Sequence, residues 1–407
     1  MDARDIKKIL SDTAYVRTGG SPEEARCAEY IKARCEELGV SARIEPFSVE
    51  VYTELVAELE VDGERIACKS HYGSPDADVE GELYYLEGLD EVSLRGCRGK
   101  VVLVDKPVGY RMHDELFESG ALAYISCAGG FLNANGDIDR REMRFDHLGG
   151  GYLPGVGINI CDTWRIVRSG GKRVRLRIKQ SVSEGVSHNV VADIGGECDE
   201  TVLVCAHYDS TELSLGSYDN MSGCIALLYI AEALAGKPLK RGVRLLWCGS
   251  EERGLLGSIA YCKAHKAELQ DLLLNVNLDM LGSVLGAFNA MSCANEETTA
   301  LLESFVEREC YAATVKYGIR SSDSNSFVYY GVPAVSFARY APADTAPIHT
   351  LYDTPESVSP ERLCADSHFI YRFTEYLATA EEYPLSREIS QKIADDVDEY
   401  MSRKRGL

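Results

Sequence analysis

Apolar residues along this chain repeat with two different periods, and the change of period divides it into regions. After Ser21-Pro22-Glu23-Glu24, the residues Ala28, Ile31, Cys35 and Leu38 fall three or four apart, and Gly39 closes the run. Ser21 as N-cap, Pro22 at the first helical position and Glu24 as a capping glutamate predict a helix that opens there. From about Val51 to Ile178, short β-type runs (101–104, 121–126, 174–178) alternate with turn residues such as Gly149-Gly150-Gly151 and Pro154-Gly155. Turns at that density predict a small β-rich domain. After Asn189 the pattern becomes strand, helix, strand, helix, with strands at 201–206, 243–248, 272–278 and 332–337. Helices are expected at 223–235, 255–266 and 298–310. Strands alternating with helices predict an α/β fold, a mostly parallel central sheet flanked by helices. Near the end, Leu385, Ile389, Ile393, Val397 and Met401 stand four apart and form one apolar stripe on a helix. The stripe docks either on the body of the chain or on a second copy, as a homodimer.

Composition narrows the function classes. With 43 basic and 64 acidic residues among 407, the formal net charge is −21. No basic field exists to displace phosphate counterions, so a nucleic-acid partner is not expected, nor is an anionic membrane surface. The longest apolar stretch, from Cys224 to Ala231, is far too short to span a bilayer. Met1 to Leu10 is rich in charge and has no apolar run of leader length, so a cytoplasmic location is expected. The 14 cysteines are scattered without any Cys-x-x-Cys, which reads as free thiols in a reducing compartment.

The chemistry is sought where open α/β sheets bind ligands, beyond the carboxyl ends of their strands. The first strand there ends in His207-Tyr208-Asp209, and a loop delivers Tyr218-Asp219-Asn220 before the next helix. The following strands run into Glu251-Glu252 and Asp279, and His349 follows the last one. Two histidines and four carboxylates (Asp219, Glu251, Glu252, Asp279) at one edge would repel or neutralise without a cation. Mixed imidazole and carboxylate ligands suit zinc, with manganese and cobalt as alternatives. Six groups are too many for one ion with an open position; two ions sharing a carboxylate use five and leave one as general base.

The segments that carry these residues resemble the co-catalytic di-zinc aminopeptidases, the MH-clan metallopeptidases related to glutamate carboxypeptidases, glutaminyl cyclases and the transferrin-receptor ectodomain. They are Ser187-His188-Asn189-Val190-Val191-Ala192, Ala206-His207-Tyr208-Asp209-Ser210, Tyr218-Asp219-Asn220-Met221-Ser222-Gly223, Ser250-Glu251-Glu252-Arg253-Gly254, Asn277-Leu278-Asp279-Met280, Ser322-Asp323-Ser324-Asn325-Ser326-Phe327 and His349-Thr350-Leu351-Tyr352-Asp353-Thr354. The resemblance implies a zinc exopeptidase fold over 1–50 and 180–407, with 51–179 as an insert similar to a protease-associated domain. It implies that His207 and Asp279 hold one zinc, Glu252 and His349 the other, and that Asp219 bridges them. Glu251 is then the general base; the residues alone do not say which of the two adjacent glutamates is base and which is ligand. The activity implied is removal of N-terminal residues from peptides by a metal-bridging hydroxide.

Two departures from the family pattern stand out. Some relatives place a tyrosine directly before the last histidine to stabilise the oxyanion; here it is Ile348, and Tyr218, Tyr340 or Tyr352 is expected to take over. The common Ser-Asp-His is Ser322-Asp323-Ser324, which alters the lining of the substrate pocket. Asp209, and less strongly Asp353, reads as an acceptor that orients a ligand histidine. Arg320 and Arg339 are either solvated arginines or anchors for a substrate carboxylate. The latter would make the chain a carboxypeptidase or dipeptidase. A glutaminyl cyclase with one zinc and a non-catalytic binding module are the other rivals. His71, His113, His147, His188, His265 and His368 lack ligand spacing and are expected to serve structure.

Overall fold

The computed structural model describes residues 1–129, 138, 140, 152–343 and 345–402. His147 and the Gly149–Gly151 run lie outside the described residues. The chain forms two units, one built from Met1–Val49 and Gly185–Met401 and a second from Glu50–Glu184.

In the first unit, seven strand segments lie side by side in the order Ala313–Tyr317, Ala287–Cys293, Ala334–Tyr340, Leu272–Leu278, Cys198–His207, Arg241–Cys248 and the 190–194 part of Arg173–Ile194. The four strands from Ala334–Tyr340 to Arg241–Cys248 are parallel to one another. Two antiparallel neighbours close their flanks, one at Ala287–Cys293 and one at 190–194. Alternation along the strands explains why helices cover both faces. Val202, Val204, Ala206, Val243, Leu245 and Trp247 join one buried cluster with Ile31 and with Ile225, Leu228 and Phe373 of helices Ser222–Leu234 and Pro360–Thr379. Their alternates Leu203, Cys205, Leu246 and Cys248 pack on Tyr261, Cys262 and Phe327. Helix Pro22–Glu37 opens with Ser21 Oγ accepting the Glu24 N–H at 3.1 Å and with Pro22 in the first turn.

The C-terminal stripe has an occupant within its own chain. Ile393, Val397 and Met401 of helix Gln391–Ser402 are buried with Leu255, Met291, Cys293, Val328 and Ala334. Among the described residues, no helix is long and apolar enough to cross a membrane.

The second unit is richer in helix than its sequence suggested. Its strands Gly155–Asn159, Ala123–Ala128, Lys100–Leu103 and Ala77–Tyr85 run parallel, with Cys68–Ser70 and the 173–178 segment antiparallel at the flanks. Parallel neighbours need crossovers, and Glu91–Arg95 and Tyr110–Glu118 supply two of them. Val101, Leu103, Ile125 and Val156 are buried on one face, and Val102, Val104, Leu116 and Tyr124 on the other.

Candidate metal centre

Each parallel strand of the first unit delivers a candidate residue at its carboxyl end. His207 is the last residue of its strand, Glu251 and Glu252 follow Arg241–Cys248, and Asp279 follows Leu272–Leu278. His349 lies on the loop after Ala334–Tyr340. Asp219 arrives on the turn Ser217–Met221, from which helix Ser222–Leu234 departs. That helix starts close to the sheet, since a Cβ on Gly223 would come within 2.5 Å of the Leu278 carbonyl. The backbone is sharply turned at three of these deliveries. Ser250 before the glutamates, Met280 after Asp279, and His349 itself have φ of 54°, 61° and 59°. Non-glycine residues in this region cost roughly 1–3 kcal/mol each and persist where surrounding bonds fix them.

The side chains converge on two overlapping triads, His207–Asp219–Asp279 and Asp219–Glu252–His349, whose ligand atoms all lie within 4.8 Å of one another in each. Asp219 belongs to both. Its Oδ1 is 3.1 Å from His207 Nε2 and its Oδ2 is 3.4 Å from His349 Nε2. Asp279 Oδ1 stands 3.6 Å from His207 Nε2, and Glu252 Oε2 stands 3.0 Å from His349 Nε2. The choice left open between the adjacent glutamates therefore has a geometric counterpart: Glu252 is in a triad and Glu251, also buried, is in neither.

Neighbouring groups hold this arrangement. Asp209 accepts the Glu251 N–H at 2.9 Å and the Glu252 N–H at 3.1 Å, and its Oδ1 lies 3.4 Å from His207 Nδ1. Asp353 does the same for the shared carboxylate, accepting the Tyr218 N–H (2.7 Å) and the Asp219 N–H (3.1 Å). Ser322 Oγ donates to Asp279 Oδ2 at 2.7 Å and is itself fixed by the Asn277 side-chain amide at 2.8 Å.

The electrostatics fit a divalent cation. Burial pushes Glu252 up to about 7 against the pull of His349. Burial likewise raises Asp353 to about 6. Burial opposes charge on Asp219 too, but the imidazoles of His207 and His349 hold it well below the usual carboxylate range. Burial also disfavours the charged form of His207, yet Asp209, Asp219 and Asp279 outweigh it and raise that imidazole. Oε1 of Glu252 and Oδ1 of Asp279 are buried with no hydrogen-bond partner. Buried carboxylate oxygens left in that state are costly unless a cation coordinates them. The donor set, imidazole nitrogen and carboxylate oxygen in two groups of three, is one that zinc accepts.

The model of peptidase family M28 matches residues 189–373, which contain every residue of both triads. The chain is 26% identical to leucine aminopeptidase 2 of Arthroderma otae over 311 residues, covering 70% of this chain and 61% of that protein. It thus spans about three-fifths of the length of that curated relative. In fold it is similar to a zinc aminopeptidase from Bacillus subtilis (TM-score 0.78, 22% identity, 96% of this chain and 98% of the other). It is also similar to an aminopeptidase from Aneurinibacillus sp. strain AM-1 (TM-score 0.75, 23% identity, 94% and 95%).

Within the M28 region some candidate residues are engaged elsewhere. Arg339 does not reach out for a substrate carboxylate. It is buried, its guanidinium donates to both oxygens of the wholly buried Asp366 (2.6 and 2.9 Å), and it also reaches Tyr311 and the Gly286 carbonyl. Tyr218 does not present its hydroxyl as an oxyanion donor, because that hydroxyl donates to the Arg339 carbonyl at 2.6 Å and accepts the Ala341 N–H. Of the other two tyrosines, Tyr352 is exposed and Tyr340 lies under the exposed Arg320, whose guanidinium is 3.9 Å from the ring centre. Asp323 is wholly buried, so it is not a substrate contact, and burial raises it to about 6. His188 accepts the Tyr208 hydroxyl on its carbonyl, His265 sits between Glu45 and Glu268, and His368 meets Tyr229. In the second unit His71 pairs with Ser126 and His113 accepts the Leu153 N–H. Ser322 escaped the sequence reading, having no signal beyond its place in Ser322-Asp323-Ser324.

Proposed function

We propose that the chain is a zinc-dependent aminopeptidase. His207, Asp219 and Asp279 would hold one zinc ion, and Asp219, Glu252 and His349 a second. The observation that carries this reading is Asp219, whose two oxygens face two different histidines. The chemistry zinc supplies when bound is polarisation of a carbonyl oxygen and a lowered pKa of coordinated water. Glu251, in neither triad and anchored through its backbone N–H by Asp209, would accept the water proton on its carboxylate. It would then pass that proton to the nitrogen of the departing peptide. The carboxylates of the site would favour a substrate with a free, cationic amino end. The name of the fungal relative supports the same reading.

Residues 51–179 are proposed as an insert of protease-associated type, since the runs similar to that domain, 99–104 and 154–158, contribute two parallel strands, Lys100–Leu103 and Gly155–Asn159. The 14 cysteines are free thiols, which supports a cytoplasmic location as part of the proposal.

The test compares a free peptide with its amino-acetylated and carboxyl-amidated forms, with and without a chelator. The acetylated form should resist and the amidated form should be cleaved. Chelation should stop the reaction and zinc should restore it. Glu251→Gln should keep zinc and lose turnover by about 10²- to 10⁴-fold. Wild-type turnover in Glu251→Gln, or cleavage of only the acetylated peptide, would overturn the proposal. Arg320 supports a second reading, a dipeptidase. Among the described residues no acidic partner faces this exposed cation, and preference for a free carboxyl end over the amide would favour that reading.

A further inference from the structure

Glu24 was read from sequence as a capping glutamate, but the N-cap Ser21 N–H donates to the Thr18 carbonyl and the Glu24 carboxylate reaches past it. Its Oε2 accepts the Gly20 N–H at 2.7 Å. Its Oε1 leaves the helix altogether and accepts Ser187 Oγ at 2.7 Å and Ser250 Oγ at 3.1 Å; the two serine hydroxyls are 2.8 Å apart. All three side chains are wholly buried. A cap needs neither serine and is ordinarily found at the surface, so the burial and the second oxygen call for another explanation.

Ser250 directly precedes Glu251 and Glu252 and has φ of 54°. Its left-handed backbone sets the direction in which both glutamates leave the strand. The approach leaves no slack. A Cβ on Gly19 would overlap the Ser250 hydroxyl, and one on Gly249 would overlap the His188 carbonyl and crowd Glu24 Oε1. Arg17, four residues before Ser21, donates to the Tyr208, Leu215 and Gly216 carbonyls and so grips the loops that follow His207 and precede Asp219. Asp209 holds the Glu251–Glu252 turn by its amides from one side, and Glu24 holds Ser250 by its hydroxyl from the other.

We propose that Glu24 is a positioning residue, fixing through Ser250 the turn that presents Glu251 and Glu252. This inference rests on the aminopeptidase reading for the role of Glu251; the placement of Glu252 is tested without it. Groups that orient a metal ligand are typically worth 10- to 100-fold in affinity or activity.

The experiment measures zinc titrations and steady-state kinetics on the full chain and on Glu24→Leu, Glu24→Gln and Ser250→Ala. Glu24→Leu and Ser250→Ala should each lower kcat at least about tenfold with KM within about twofold. Each should weaken one of the two zinc equivalents, that of Glu252 and His349, at least about tenfold and spare the other. Glu24→Gln, which keeps the shape and the acceptor oxygen, should recover most of both. Unchanged kcat and unchanged zinc affinities in Glu24→Leu and Ser250→Ala would overturn the proposal. So would equal weakening of both zinc equivalents in step with lost thermal stability, which would mark Glu24 as packing only. If Glu24→Leu does not fold, Ser250→Ala decides alone. If the wild type binds zinc and cleaves no peptide, the aminopeptidase reading fails while the selective zinc loss still decides the position of Glu252.

Discussion

Arg339 offers a quantitative test, because the two roles it could play predict opposite results. As an anchor for a substrate carboxylate, its loss would change KM for peptides with a free carboxyl end and leave stability alone. The structure instead gives a buried ion pair with Asp366, bidentate and shared with Tyr311. Removing one partner of such a pair leaves an uncompensated buried charge and typically costs about 3–5 kcal/mol. Asp366 would keep two donors, the Gly282 N–H at 2.9 Å and the Tyr311 hydroxyl, so the lower end applies. Arg339→Met should therefore lose about 3 kcal/mol, roughly two powers of ten in the folding equilibrium. Arg339→Met combined with Asp366→Leu removes both charges and should recover most of the loss, because apolar replacement of a whole buried pair is often neutral. Urea denaturation of the wild type, the two single variants Arg339→Met and Asp366→Leu, and the double variant gives the coupling directly. Below the transition, the ratio of rates on free and amidated peptides should equal that of the wild type. A folded Arg339→Met protein of unchanged stability that discriminates less between those peptides would refute the reasoning.

Further outcomes follow from other buried groups. Burial, with a contribution from Asp209, pushes Glu24 up to about 8, so the native state favours its neutral form. The stability this contributes is complete below the ordinary glutamate value near 4.5 and is lost as pH rises toward 8. At about 1.4 kcal/mol for each pH unit crossed, Glu24→Gln should gain on the wild type by a few kcal/mol between pH 5 and pH 8. Parallel stability profiles of the two proteins would contradict this. Asp353→Ala strips the acceptor from two buried amides that hold Asp219, and zinc affinity measured against a chromophoric chelator should fall about 10- to 100-fold; an unchanged affinity would show that another group fixes the loop. Ile393→Ala empties a wholly buried position under the last helix and should cost about 2–5 kcal/mol in chemical denaturation. No loss would mean that the stripe is not packed on its own chain.

The parts of the fold that could be read in the sequence are those with a regular period and a uniform face. The strand around Val202–Ala206 is an unbroken apolar run buried on both sides, Val243–Cys248 is broken only by Arg244, and Leu272–Leu278 opens with three leucines ahead of Asn275 and Asn277. The strand Ala287–Cys293 went unread because Asn289 and Ser292 interrupt its run, and Ala313–Tyr317 because it is half exposed beside it. In the second unit the crossover helix Tyr110–Glu118 was hidden by surrounding turn residues, so a parallel sheet with helices read as β-rich. Arg339 could not be placed from its own strand, since its partner Asp366 lies on helix Pro360–Thr379, 27 residues away.

The candidate site divides along a different line, between groups that would bind a metal and groups that hold them in place. Few side chains can ligate zinc, so histidines and carboxylates at successive strand ends are a restrictive pattern: all six candidates were legible before any geometry, and the family resemblance implied how they divide between two ions. Their supports obey no such restriction. Asp209 and Asp353 act on backbone amides, Ser322 acts on one carboxylate oxygen, and Glu24 acts on two serine hydroxyls. Every residue except proline has a backbone N–H and many have hydroxyls, so a support leaves no spacing rule in the chain and is defined only by what lies opposite it. Yet three non-glycine residues at the site hold a left-handed backbone, and something must fix each one. The Glu24–Ser250 and Asp209–Glu251 hydrogen bonds supply this at one of them, from two segments 185 positions apart in the chain. Substitutions that disturb the chemistry without touching a ligand are therefore to be sought along these buried acceptors, beginning with Glu24 on helix Pro22–Glu37.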